Sequence, residues 1–170
     1  MITRPTNAEA ASYYFPYIDL VPEGDVVATM AQQLYDIDSF LTGIDESQSL
    51  HSYAPDKWTI RQVWSHVNDT ERVFVYRAMW FARGFSEPLP GYDQNVGVAG
   101  GEANKVPWND VVEEFRHIRL ATLSFFRNLP ETAWSRTGIA SDNPFTVRAL
   151  AYIIVGHATH HQRVSRDRYL

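Results

Sequence analysis

The chain has 170 residues, of which 45% are hydrophobic and 21% are charged, and its formal net charge is −5. These values are typical of a globular protein, and the length predicts a single domain over residues 1–170. The acidic balance argues against binding to nucleic acid or to an anionic membrane, because both interactions require a basic surface.

Cysteine is absent, which excludes disulfides, thiolate metal ligands and a nucleophilic thiol supplied by the protein itself. The N-terminal residues lack the basic and apolar segments of a secretory signal. The longest apolar stretch, residues 149–155, is too short to cross a bilayer. We therefore expect a cytoplasmic protein.

Residues 1–23 precede the first helical pattern and are rich in aromatic side chains, among them Tyr13, Tyr14, Phe15 and Tyr17. We expect these residues to form an N-terminal arm that packs on the rest of the domain. The first helix is predicted over residues 24–41, where apolar residues recur at helical spacing.

The second helix has clear start and stop signals. Thr59 and Gln62 have the spacing of a capping box, which predicts that the helix begins at Thr59. Gly84 is the residue type that most often ends a helix, so we expect the helix to reach about Arg83.

The third helix is predicted over residues 108–129, where Pro130 stops it, and the fourth over residues 146–168. No stretch shows strand periodicity of comparable quality. Four amphipathic helices of this length predict an all-α fold, a four-helix bundle.

A long connection, residues 85–107, joins the second and third helices and is rich in glycine and proline. Connections of this length in a compact domain are usually functional or mobile, although a simple surface covering is an equal alternative. In an up-and-down bundle the second and fourth helices would run in the same direction, and a modest stagger between them would then allow His66, His157 and His161 to converge.

Three histidines lie on the apolar faces of the second and fourth helices: His66, His157 and His161. Residues four apart share one face of a helix, so His157 and His161 can direct their rings to a single point. Together with His66 they predict a divalent metal site with three nitrogen ligands and an open fourth position. The alternative is a set of buried histidines that bond to each other or to backbone carbonyl groups.

The pattern differs from two common metal motifs. Ala158 stands where a metalloprotease H-E-x-x-H motif has its glutamate, and the Glu-x-x-His pairs of di-iron bundles are missing. Zinc suits three imidazole ligands best among the common metals, and nickel, iron and manganese also accept them.

Both histidine segments resemble one family. Residues 58–71 contain the pattern W-x-I-R-x-x-x-x-H-x-x-D-x-E, and residues 156–169 contain G-H-x-x-H-H-x-x-x-x-R-x-R-Y. These patterns and their separation resemble the DinB/YfiT-like metalloenzymes. The resemblance implies an up-and-down variant of the four-helix bundle and a divalent metal, zinc or nickel first, held by His66, His157 and His161.

Three further residues are candidates for chemistry. Asp69 could orient a ligand imidazole or act as a general base. The alternative is that it lies on the helix surface or has a capping role. His160 could line the pocket, although a partly exposed position is the alternative. Arg77 could bind an anionic group of the substrate, unless it pairs with a buried acid. We expect His51 and His117 to lie on the surface.

The wider DinB-like group includes thiol-dependent S-transferases and an isomerase. The resemblance therefore implies, as the first hypothesis, a metal-dependent transferase that uses a low-molecular-weight thiol and a small electrophile. A metal-dependent hydrolase and a non-catalytic, stress-related metal-binding protein are the alternatives. We also expect a homodimer formed through exposed aromatic residues such as Trp80 and Phe81.

Overall fold

The computed structural model describes residues 2–170. Six α-helices occur within these residues: α1 (Phe15–Ile18), α2 (Val26–Thr42), α3 (Ile60–Ala82), α4 (Gln94–Gly101), α5 (Trp108–Arg127) and α6 (Val147–Arg168). The four long helices α2, α3, α5 and α6 are those predicted from the sequence, so the all-α four-helix bundle is confirmed. Within the described residues, no helix is both long and apolar enough to span a membrane.

The predicted helix boundaries have the expected capping bonds. The Thr59 hydroxyl accepts a hydrogen bond from the Gln62 amide at 3.1 Å, and the Thr59 amide donates to the Gln62 side chain at 2.9 Å. The Thr146 hydroxyl caps α6 by accepting from the Ala149 amide at 3.1 Å. Gly84 follows α3 with a φ of 85°, a left-handed conformation that glycine adopts without strain.

Helices α3 and α6 run antiparallel, so the prediction that they run in the same direction is wrong. The Trp64 indole donates to the Ser165 hydroxyl at 3.2 Å, and the Tyr169 hydroxyl donates to the Trp58 carbonyl at 2.8 Å. The start of α3 therefore lies beside the end of α6.

The other contacts fix the remaining directions. Gln33 of α2 donates to the Val155 carbonyl, and the Arg166 guanidinium lies over the Phe40 ring, so α2 and α6 run parallel. Contacts from α3 to α5 pair residue 68 with 111 and residue 71 with 119, so α3 and α5 also run parallel. The bundle is therefore up-down-down-up.

The long connection is a consequence of this topology. Helix α3 has 23 residues and is about 35 Å long at 1.5 Å per residue. To begin α5 in the same direction, the chain must return along the bundle, which requires a crossover. The crossover contains α4, capped by Asp93, and a 3₁₀ helix over Ala103–Lys105, neither of which is predicted from the sequence.

A β-hairpin lies between α5 and α6 and corrects the expectation that strands are absent. Strand β1 (Thr137–Ala140) pairs antiparallel with β2 (Asn143–Thr146). Leu89 of the crossover extends this hairpin, because its amide donates to the Ile139 carbonyl at 2.9 Å and its carbonyl accepts from the Ser141 amide at 3.1 Å. Four-residue strands are too short to give a clear periodic pattern in the sequence.

The core contains a buried polar network as well as apolar side chains. Arg119 is fully buried and forms a bidentate ion pair with Glu71, with contacts of 2.8 and 2.9 Å. Its Nη1 donates to Gln33 at 2.5 Å. The network therefore joins α2, α3 and α5.

Residues of the N-terminal arm lie against α6. Glu9 forms an ion pair with Arg148 at 2.5 Å, and Ile18 is fully buried.

Phe81 is 1% exposed and cannot form a dimer surface, so this part of the expectation is wrong. Trp80 stacks on Phe85 with ring centroids 4.1 Å apart.

Candidate metal centre

The structure brings the three predicted ligands together. The Nε2 atom of His157 lies 3.2 Å from Nε2 of His66 and 3.1 Å from Nε2 of His161. One ring nitrogen from each histidine lies within 4.8 Å of the others. His66 and His157 are buried, and His161 is partly buried.

This arrangement fits a divalent cation better than it fits hydrogen bonding alone. If Nε2 of His157 carries a proton, it can donate that proton to only one of the two neighbouring Nε2 atoms. The other Nε2 atom then has no hydrogen-bond partner on His157. Two nitrogens that each lie about 2.05 Å from a tetrahedral zinc ion are separated by about 3.3 Å. The observed separations at His157 are close to that value.

The electrostatics of the cluster also favour neutral imidazoles. Burial lowers the pKa of His66 to about 4. Burial, together with the neighbouring histidines, lowers the pKa of His161 to about 3 and that of His157 well below its usual value. The lone pairs therefore remain free for a metal ion at neutral pH.

Thr70 lies next to His66 and was not predicted as a site residue. Its Oγ1 is 3.2 Å from Nδ1 of His66. When Nε2 binds a metal, Nδ1 carries the proton and donates to this hydroxyl, which fixes the ring orientation. The i, i+4 spacing of His66 and Thr70 is the sequence signal that could have identified the pair.

A cavity of about 170 Å³ opens beside His66 and His157, and we call it the inner cavity. The arm, α3, the crossover, the hairpin and α6 all contribute to its lining: Tyr13, Tyr14, Tyr17, His66, Thr70, Val73, Phe74, Arg77, Tyr92, Gln94, Ser141, Ile153 and His157. It is an aromatic pocket with one guanidinium.

Arg77 lies in the inner cavity, 3% exposed, and burial lowers its pKa. Its Nη2 donates to the Pro90 carbonyl at 3.1 Å and to the Ser141 hydroxyl at 2.9 Å. Among the described residues no carboxylate forms an ion pair with it. A buried cation without an acidic partner is suited to an anionic ligand.

The carboxylate of Asp69, a candidate general base, forms an ion pair with Arg72. Its Oδ1 accepts a hydrogen bond from Arg72 at 3.3 Å, and it is not among the residues that line the inner cavity. Burial raises its pKa, while Arg72 opposes the shift. The hydroxyl of Thr70, not the carboxylate of Asp69, contacts His66.

His160 lies beside the cluster rather than in it. Its ring packs edge to face against Tyr17, with centroids 5.3 Å apart, and burial lowers its pKa. His51 and His117 are exposed, as the sequence predicted.

No local sequence signal marks the residues of the other elements that close the inner cavity. Tyr17 packs against both His157 and His160, and Ser141 comes from the hairpin turn. Tyr17 belongs to the aromatic-rich arm, and no local pattern in the sequence relates it to residue 157. The turn at Ser141 and Asp142, both with positive φ, likewise has no helical periodicity.

Comparisons with solved structures show the same fold. YfiT from Bacillus subtilis, described as a probable metal-dependent hydrolase with an unusual four-helix bundle topology, is 18% identical with a TM-score of 0.68. The match covers 95% of this chain and 91% of YfiT. No curated protein matches the chain in sequence.

The mycothiol-dependent maleylpyruvate isomerase is 15% identical, also with a TM-score of 0.68. The match covers 85% of this chain and 61% of the isomerase, so this chain spans less than two thirds of that protein. A family model described as the DinB superfamily matches residues 29–165. The chain therefore belongs to the DinB superfamily.

Proposed function

We propose that this protein is a metal-dependent S-transferase that joins a low-molecular-weight thiol to a small electrophile bearing a carboxylate. One observation carries the proposal. The inner cavity is lined both by two of the three clustered histidines and by Arg77, a buried guanidinium without an acidic partner among the described residues.

The three neutral imidazoles of His66, His157 and His161 would hold the cation, which supplies positive charge and lowers the pKa of a bound thiol. The contacts of Arg77 with Pro90 and Ser141 fix its guanidinium plane. Its remaining N–H groups suit a carboxylate, which accepts paired hydrogen bonds from a guanidinium.

The nucleophilic thiol must come from a co-substrate, because the chain has no cysteine. In the reaction, the S–H bond of the thiol breaks and its proton passes to solvent. The sulfur then forms a bond to carbon, and the leaving group departs with its electron pair. The thiol dependence named for the structurally similar isomerase supports this choice of co-substrate.

A metal-dependent hydrolase is the second candidate, and the description of YfiT favours it. In that reaction water replaces the thiol, and Asp69 would be its general base. The ion pair of Asp69 with Arg72 argues against this role. No carboxylate lines the inner cavity among the described residues.

The proposal is tested with chloroacetate and chloroacetamide, which have similar shapes but differ in charge. Protein loaded with zinc, nickel, iron or manganese is assayed with a panel of thiols that includes cysteine and glutathione. We expect thiol-dependent chloride release with a preference for chloroacetate. Thiol-independent hydrolysis would support the hydrolase, and metal binding without turnover would indicate a non-catalytic, stress-related metal-binding protein.

We further propose a cytoplasmic homodimer. An apolar groove of about 520 Å³ along α3 and α5 supports a dimer surface, and it includes Tyr76, Met79, Ile118 and Phe125. Sedimentation analysis of the wild type and of Met79→Glu tests this proposal, because a charge in the groove should favour the monomer.

A further inference from the structure

A second cavity borders the histidine cluster, and we call it the outer cavity. Its volume is about 330 Å³, and its lining includes Tyr53, Asp56, Lys57, Trp58, Asn95, His160 and His161. The two cavities share no lining residue. The inner cavity approaches the cluster at His66 and His157, and the outer cavity approaches it at His161.

The two cavities differ in volume. The inner cavity of about 170 Å³ is about half as large as the outer cavity of about 330 Å³. The inner cavity therefore suits the smaller substrate, the electrophile. The outer cavity lies within the range of about 300–1,000 Å³ that is common for sites of larger small molecules.

The outer cavity also has a distinct charge pattern. Lys57 and Asp56 are adjacent, exposed and of opposite charge, and neither forms an ion pair within residues 2–170. A free amino acid group carries one ammonium and one carboxylate, which this pair can bind together. Asn95 and the half-buried His160 add further hydrogen-bonding groups.

Trp58 links the outer cavity to the cluster. Its ring lies 5.2 Å from that of His66, measured between centroids, and Trp58 also lines the outer cavity. A ligand seated at Lys57 and Asp56 can therefore extend along Trp58 towards His161, one of the three residues that would hold the cation.

We infer that the outer cavity binds the thiol co-substrate, a cysteine-derived thiol with free ammonium and carboxylate groups, while the inner cavity binds the electrophile. This inference rests on the proposed function. It assigns Lys57 and Asp56 to thiol binding and Arg77 to electrophile binding. Both substrates can then occupy the protein at once, and catalysis proceeds through a ternary complex.

Steady-state kinetics of the metal-loaded protein with glutathione and chloroacetate test the inference. Lys57→Met should raise the KM for glutathione about tenfold, the effect of losing one hydrogen bond to a charged group. The KM for chloroacetate should stay within about twofold of the wild-type value. Ser141→Ala, in the inner cavity, should show the reverse pattern. Lys105→Met is the matched control, because Lys105 is exposed and lines neither cavity.

Calorimetric titration with glutathione separates this inference from the proposed function. Weaker glutathione binding by Lys57→Met supports the outer cavity even if no thiol supports turnover, in which case only the transferase proposal fails. Equal glutathione affinity in the wild type and Lys57→Met overturns the inference, whether or not turnover occurs. An increase in the KM for chloroacetate in Lys57→Met would also overturn it.

Discussion

Gly156 of α6 lies directly against the backbone carbonyl of Tyr17. A Cβ atom built on Gly156 would lie 1.9 Å from that oxygen, a distance that no real contact allows. The absence of a side chain at this position lets the arm approach α6 and places the Tyr17 ring beside His157 and His160.

Gly156→Ala should therefore displace the arm. We expect the free energy of unfolding to fall by about 1–3 kcal/mol, as for other overpacked core positions, and proteolysis near Tyr17 to become faster. Urea unfolding and limited proteolysis measure both effects. Gly100→Ala in α4 is the matched control, because its Cβ meets nothing within 4 Å. Equal behaviour of the two variants would contradict this role of Gly156.

Thr70→Val removes the hydroxyl that contacts Nδ1 of His66 and nearly preserves the side-chain shape. We expect metal affinity to fall about 10- to 100-fold, the usual effect of losing a hydrogen-bond partner behind a ligand. Competition with a chromophoric chelator measures the dissociation constant. Thr122→Val, at another buried threonine, should bind metal like the wild type, and a similar loss in both variants would argue against a specific role.

The buried pair of Glu71 and Arg119 should contribute strongly to stability only as an intact pair. Glu71→Gln leaves the buried charge of Arg119 without a negative partner. We therefore expect the free energy of unfolding in urea to fall by about 3–5 kcal/mol. Glu114→Gln breaks a partly exposed ion pair with Arg72 and should cost less than about 1 kcal/mol. Similar losses for the two variants would show that burial of the pair is unimportant.

The metal-free protein should become less stable on acidification. Burial lowers the pKa of His66 from 6.5 to about 4, so the unfolded chain binds this proton first as the pH falls below about 6.5. The free energy of unfolding should therefore decrease by up to about 1.4 kcal/mol per pH unit for this histidine between pH 6.5 and 4.

Thermal unfolding of metal-free wild type and His66→Gln across this pH range isolates the contribution of His66. The wild type should lose more stability than the variant on acidification, because other titrating groups are common to both. Parallel pH profiles would show that the buried imidazole does not resist protonation.

Local sequence signals were sufficient for the four long helices and for the histidine pair of α6. The capping box at Thr59 and the cap at Thr146 depend on residues three positions apart, so they can be read without knowing the fold. His157 and His161 share a helix face for the same reason.

Features set by topology could not be read in this way. The antiparallel packing of α3 and α6 depends on the crossover. Apolar residues on one face of a helix do not indicate whether the helix runs parallel or antiparallel to its neighbour. Ser141 reaches Arg77 across 64 positions in the sequence, through a hairpin whose strands have only four residues each. Asp69 lies three positions from both His66 and Arg72 in the sequence, so local spacing alone does not show that it pairs with Arg72.

Elemental analysis of protein prepared without an affinity tag tests the metal centre most directly. The wild type should contain about one equivalent of a divalent transition metal, and His157→Ala should lose nearly all of it because His157 contacts both other ligands. His117→Ala, at an exposed histidine, should retain the wild-type content. Equal metal content in the wild type and His157→Ala would contradict the three-histidine site.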